Sequence, residues 1–141
     1  MDFKYRKFPT SPNNCPFPSQ KYALRPVIQI DFDSPKGGFG YLVLIDSGAD
    51  YCIFHAAIGE QIGIDIKKGR KLIFFGTSGE PQEAYFHKVS FKIGGNLHEC
   101  EVGFSFDTGK LAYGLLGQYG FFNQWRIKFE YDKESVELKR M

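Results

Sequence analysis

Apolar and polar positions alternate with a period of two along most of this chain, the pattern of half-buried strands. Val27, Ile28, Ile30 and Phe32 form one such strand. The cluster Asp33-Ser34-Pro35-Lys36-Gly37-Gly38-Phe39-Gly40 is a turn, and residues 41–45 (Tyr-Leu-Val-Leu-Ile) are a continuous apolar run. A run of that length fits a strand buried on both faces, and the two strands make a hairpin. Residues 55–62 break the alternation. Ala, Glu and Gln favour helix, Ile58 and Ile62 fall on one face, and Gly63 is a suitable stop. Period two then resumes over 71–75, over 84–93 (Tyr85, His87, Val89, Phe91, Ile93), and over 97–106 after the hairpin signal Gly94-Gly95. Residues 118–122 are a second, weaker helical candidate. Residues 125–131 and 135–138, joined by Asp132-Lys133-Glu134, form a last hairpin. The expectation is an all-β domain with one or two short helices.

Composition adds three points. At 141 residues the chain is long enough for one core and too short for two, so a site needing two domains must draw on two chains. Four of seven prolines fall in PTSPNNCPFP, residues 9–18, which reads as an extended arm. We therefore divide the chain into a Pro-rich basic N-terminal arm, 1–21, and a compact domain, 22–141. Residues 1–30 hold five basic groups and one acid, against thirteen and fifteen in the remainder. That suggests a basic arm and no nucleic-acid-reading face. Cys15, Cys52 and Cys100 are odd in number and lack framework spacing, so they read as free thiols and the expected location is cytoplasmic. No apolar stretch approaches the ~20 residues of a membrane helix, so no membrane partner is expected.

The chemistry concentrates in Leu44-Ile45-Asp46-Ser47-Gly48-Ala49-Asp50. A buried apolar strand ends in a carboxylate, a small hydroxyl residue and a glycine. Burying a lone carboxylate is costly, so its position asks for a reason. Asp-Ser-Gly is also ordinary turn chemistry, and the tripeptide alone favours that reading. About seventy residues later come Leu115-Leu116-Gly117 and the second helical candidate. Together these elements resemble the retropepsin-like aspartic peptidases over residues 25–130, and the surroundings of Ala49-Asp50 and of residues 62–65 (Ile-Gly-Ile-Asp) look like the single-domain bacterial members.

The resemblance implies a closed β-barrel half that pairs into a two-fold homodimer. It places the catalytic carboxylate at Asp46, and at Ser47 the hydroxyl that locks two active-site turns across the dimer. It makes Gly48 a carbonyl that receives substrate backbone, with Ala49 beside it and Asp50 binding substrate main chain. Gly76, Thr77, Ser78 and Gly79 match a flap tip over the substrate. Leu115, Leu116 and Gly117 would support the catalytic turn from behind. Two departures stand out. Ser47 replaces the usual retroviral threonine, and Gln118 stands where retroviral members have an arginine that pairs with the acid equivalent to Asp50. The expected activity is that of an aspartic endopeptidase acting on extended peptides with no cofactor and no metal. The alternative is a non-catalytic dimeric peptide-binding module with the same fold.

Other signals weigh less. Asp107-Thr108-Gly109 repeats the acid-hydroxyl-glycine pattern but leads into Lys110 rather than a buried strand, so it reads as a turn. Cys52 with His55 and His98 with Cys100 are zinc-type residues at spacings shorter than usual zinc patterns. His87 alternates with apolar neighbours and reads as a strand histidine.

Overall fold

The computed structural model describes residues 1–75, 79–108 and 112–141. Twelve strands and one short α-helix appear among them, with single 3-10 turns at Ile66–Lys68 and Tyr131–Lys133. In order they are β1 (Asp2–Lys4), β2 (Arg6–Pro9), β3 (Tyr22–Arg25), β4 (Val27–Phe32), β5 (Phe39–Ile45), β6 (Cys52–His55), α1 (Ala56–Gln61), β7 (Arg70–Phe75), β8 (Pro81–Ile93), β9 (Asn96–Ser105), β10 (Gly114–Leu116), β11 (Trp125–Glu130) and β12 (Ser135–Arg140). No helix among the described residues is long and apolar enough to cross a membrane.

Six strands close a barrel in the order β4-β5-β10-β6-β9-β8, and the pairing of Asp31 with Lys92 joins β8 back to β4. Closure leaves no open edge within the ring. β7 pairs along β8 outside it, forming the two arms of a long hairpin. The alternation read from the sequence points inward as expected: Ile30, Phe32, Val89, Phe91, Ile93, Val102 and Phe104 are all buried. Phe32, Phe54, Phe91 and Phe104 meet at the centre with ring centroids 5.5 to 6.2 Å apart. Edge-to-face and tilted contacts of this kind add to the area they bury. The β8–β9 turn uses Gly94 and Gly95 at φ 55° and 82°, the left-handed values a two-residue hairpin needs.

Helix α1 forms where expected. The His55 ring caps it, Nδ1 accepting from the Ala57 amide at 3.1 Å, and Gly63 follows its end at φ 89°. The second helical candidate does not form. Residues 118–124 make consecutive turns, because Tyr119 bridges to Tyr51 and Gly120 takes φ 113°, both incompatible with a helix. The amides of Phe122 and Asn123 bond back five residues, to Gly117 and Gln118.

The N-terminal residues pair at both ends. β1 adds to β12, giving a small sheet in the order β1-β12-β11. β2 pairs with β3 as a separate two-stranded hairpin, and the Pro-rich residues 10–21 connect them.

His98, on β9, anchors the 118–124 loop. Indole N–H is donor only, so the 3.1 Å contact from Trp125 Nε1 makes His98 Nδ1 the acceptor. Its Nε2 then carries the proton and donates to the Gly120 carbonyl at 2.8 Å. Burial, chiefly, holds this histidine below its ordinary value of 6.5, and Arg140 pushes the same way. A histidine kept neutral in the fold stabilises fully above the unfolded value, and that stability falls as pH drops through 6.5 toward the depressed native value. Urea unfolding at pH values stepped down from 6.5 should therefore show stability decreasing, by at most about 1.4 kcal/mol per pH unit. A His98→Phe variant, less stable overall, should lose most of that slope in the same window. An unchanged slope would mean that other groups set it.

Candidate active site

The site is built where β5 and β6 part. Their separation admits β10, which lies parallel to β5 (Leu115 opposite Leu44, Leu116 opposite Ile45) and antiparallel to β6 (Leu115 opposite Ile53). The two sequence motifs seventy residues apart thus become neighbours. The Asp46 amide donates to the Leu116 carbonyl at 3.0 Å, extending the β5–β10 ladder to the carboxylate residue itself. Beyond it, the Gln118 amide donates to the Ala49 carbonyl at 2.8 Å and the Tyr119 amide to the Asp50 carbonyl at 2.9 Å.

Within the turn, the Ala49 amide donates to the Asp46 carbonyl at 3.2 Å, and the Gly48 amide to Asp46 Oδ1 at 2.9 Å. A backbone donor on one carboxylate oxygen fixes the rotamer and aims the other. Asp46 is half-buried; Ser47, Gly48 and Asp50 are exposed, and Ala49 is half-buried. Leu116 is fully buried behind the turn. Of the expected flap tip, Gly76, Thr77 and Ser78 lie outside the described residues; Gly79 is described, at φ 76°.

Gly117 has no room for a side chain. A methyl group there would overlap the Tyr51 carbonyl oxygen and come within 2.7 Å of the Ala49 carbonyl oxygen. Its amide donates to Cys52 Sγ at 3.4 Å. Cys52 therefore accepts a bond from the loop behind the Asp46 turn, while His55 caps α1 and His98 bonds Gly120 and Trp125. The neighbouring Cys52 sulfur and burial push the Cys100 thiol well above its ordinary range, so it stays protonated.

Gln118 was read from the sequence only as a departure from the retroviral pattern. Its Nε2 donates to the Ser47 carbonyl at 2.8 Å, tying the turn to the strand that supports it. Tyr51, Tyr119, Phe122 and Asn123 were not singled out either. With Ser47, Asp50 and Gln118 they line an open groove of about 780 Å³ beside the turn. The signal available was composition alone: aromatic residues flanking each motif, which core packing explains equally well.

Asp107 lies elsewhere. Its Oδ2 accepts from the Glu83 amide at 2.9 Å, and Thr108 Oγ1 donates to the Ser105 carbonyl at 3.3 Å. Asp107 and Thr108 thus form a turn latched to β8 at Glu83, partway along the β7–β8 hairpin, while Gly109 lies outside the described residues. His87 sits in β8 and its Nε2 contacts the Ile66 carbonyl at 2.8 Å.

No family model and no curated protein matches this sequence. Solved structures do match its shape. A retropepsin-like aspartic protease from Rickettsia conorii is similar at TM-score 0.56 and 15% identity, over 78% of this chain and 88% of that one. EIAV protease is similar at TM-score 0.49 and 20% identity, over 74% and 88%. A foamy viral protease-reverse transcriptase is similar at 0.42 and 20% identity, over 66% of this chain and 11% of that one. The six-stranded barrel, the strand inserted between the two that flank the turn, and the likeness to the Rickettsia structure together give this chain a retropepsin-like fold.

Proposed function

We propose that this protein is an aspartic endopeptidase whose catalytic pair is Asp46 from each of two identical chains. The observation that carries the reading is the seating of Asp46. Its amide is bonded to the buried Leu116 strand and one carboxylate oxygen to the Gly48 amide, which holds a half-buried carboxylate in a hydrogen-bonded turn beside the exposed Ser47 and Gly48. Among the described residues each chain offers one such turn, since Asp107 is engaged by the Glu83 amide on β8.

Two carboxylates brought within hydrogen-bonding distance cannot both ionise and share one proton. One takes a proton from a water held between them as the water oxygen attacks the peptide carbonyl. The other donates its proton to the carbonyl oxygen. Ser47, exposed at the tip of the turn, is suited to bond the partner turn, and Gly48 and Asp50 to bond an extended peptide as an added strand. The hairpin arms β7 and β8 are suited to reach over a bound peptide as a flap and exclude water. In this reading residues 22–141 form the catalytic unit and 1–21 an appended segment, and the enzyme works in the cytoplasm without metal or cofactor.

The test is cleavage of a peptide library across a pH series. Activity should peak on the acid side of neutral, because the pair must hold one proton. A profile still rising above pH ~8 would point to another base. Binding of peptides with no cleavage at any pH would instead support a non-catalytic module.

A further inference from the structure

Asp107 and Thr108 repeat the acid-hydroxyl opening of the Asp46 turn, but the two carboxylates are used differently. Asp46 Oδ1 accepts from the Gly48 amide within its own turn, whereas Asp107 Oδ2 accepts from the Glu83 amide on another element, β8.

The strand register shows what that second bond joins. The β8–β9 ladder ends at the rung of Tyr85 with Phe104, while β7 stays paired with β8 out to the rung of Phe75 with Pro81. Past Tyr85 the hairpin therefore leaves the barrel as a two-stranded ribbon, and such a ribbon is only marginally stable by itself. Among the described residues, the Asp107–Glu83 bond is the one hydrogen bond that ties the ribbon to the barrel beyond that last rung.

Both ends of the bond are held. The Asp107 amide donates to Ser105 Oγ at 3.1 Å, and Thr108 Oγ1 donates to the Ser105 carbonyl at 3.3 Å. Ser105 is fully buried and pairs with His55 of β6, so the carboxylate stands on the barrel wall. On the hairpin side Glu83 lies opposite Ile73, and its carboxylate accepts from Lys71 Nζ at 3.0 Å and from the Tyr85 hydroxyl at 3.4 Å. Glu83 is thus the residue at which both arms of the hairpin meet the barrel. An ionised acceptor makes a bond about twice as strong as a neutral one. Asp107 is nevertheless exposed, so water competes and the bond can open and re-form.

From this geometry we infer that Asp107 is a positioning residue: its bond to Glu83 is the joint that holds the β7–β8 hairpin ready to cover a bound peptide. The inference rests on the peptidase reading and adds the residue that governs substrate binding at that site. With the joint open the hairpin samples more positions, only a fraction of them can close on a peptide, and apparent affinity falls by that fraction.

The experiment reads the joint and the binding separately in Asp107→Ala and Asp107→Asn proteins. Hydrogen exchange followed by NMR should show the Glu83 amide exchanging about tenfold faster in Asp107→Ala, the loss expected for one charge-assisted bond. Asp107→Asn keeps a neutral oxygen as acceptor and should accelerate exchange by only about threefold. Amides from Phe86 to Ile93 should be unchanged in both, which shows that the barrel is intact. KM for a cleaved peptide should rise by the same two factors with kcat unchanged, since Asp107 takes no part in the chemistry. A turn that serves structure alone would leave KM where it is, so faster Glu83 exchange with an unchanged KM overturns the positioning role. Unchanged Glu83 exchange in Asp107→Ala overturns the joint itself, whether or not any peptide is cleaved. If wild-type protein cleaves nothing, the peptidase reading fails separately, and fluorescence anisotropy with the same peptides decides. Binding about tenfold weaker in Asp107→Ala than in wild type keeps the joint. Equal binding, or none by either protein, removes it.

Discussion

Asp46→Asn should lower peptide hydrolysis by at least a factor of about a thousand, the scale on which acid–base catalysis by one positioned group operates. The substitution is nearly isosteric. Its side-chain oxygen can still accept from the Gly48 amide, the contact now made at 2.9 Å, and the bond from the residue 46 amide to Leu116 does not involve the side chain. The fold should therefore survive, with the same urea midpoint as wild type. What is lost is the ability to take up and return a proton, since an amide is a poor base. Loss of activity with an unchanged midpoint assigns the effect to chemistry. Cleavage at the wild-type rate would remove Asp46 from the mechanism.

Gly117→Ala should do the opposite and damage the scaffold first. The added methyl would collide with the Tyr51 carbonyl oxygen and sit 2.5 Å from the Tyr51 carbonyl carbon and 2.7 Å from the Ala49 oxygen. These are backbone atoms, which cannot swing aside as a flexible side chain does. Relief requires β10 to move away from the turn, and the bonds from Gln118 to Ala49 and from Tyr119 to Asp50 would open with it. Overpacking of this kind costs about 3 kcal/mol. Urea unfolding should show that loss, and, on the proposed function, kcat should fall together with stability because the Asp46 turn is no longer held. A midpoint equal to wild type would show that the turn tolerates the shift.

The sequence is legible where a single physical pattern dominates. The inward alternation of β4, β8 and β9 could be read because one face of each strand is buried, and burial of one face imposes period two. The Asp46 turn stood out as a candidate because an acid at the end of an apolar run is costly without a purpose. Strands β1, β2 and β3 were not, since three or four residues among prolines carry no measurable period. β1 also takes its partner from residues 135–137, at the other end of the chain. The helical candidate at 118–122 failed for a local reason. Gly120 is needed at φ 113° so that its carbonyl can meet His98, and the helical pattern does not encode that partner. Gln118 was visible as a departure, but its bond to Ser47 depends on two segments brought together only by the fold.

The central claim is that the catalytic site is shared between two chains, and subunit exchange tests it most directly. Wild-type chains are mixed with an equal concentration of Asp46→Asn chains and allowed to exchange, with exchange followed independently by mass-tagged subunits. Random pairing leaves about a quarter of the dimers with two intact aspartates, and the pair acts as a unit. Activity per wild-type chain should fall to about half, and further as the variant is added in excess. If each chain holds a complete site, the variant is a bystander, and activity per wild-type chain stays constant at every mixing ratio despite proven exchange.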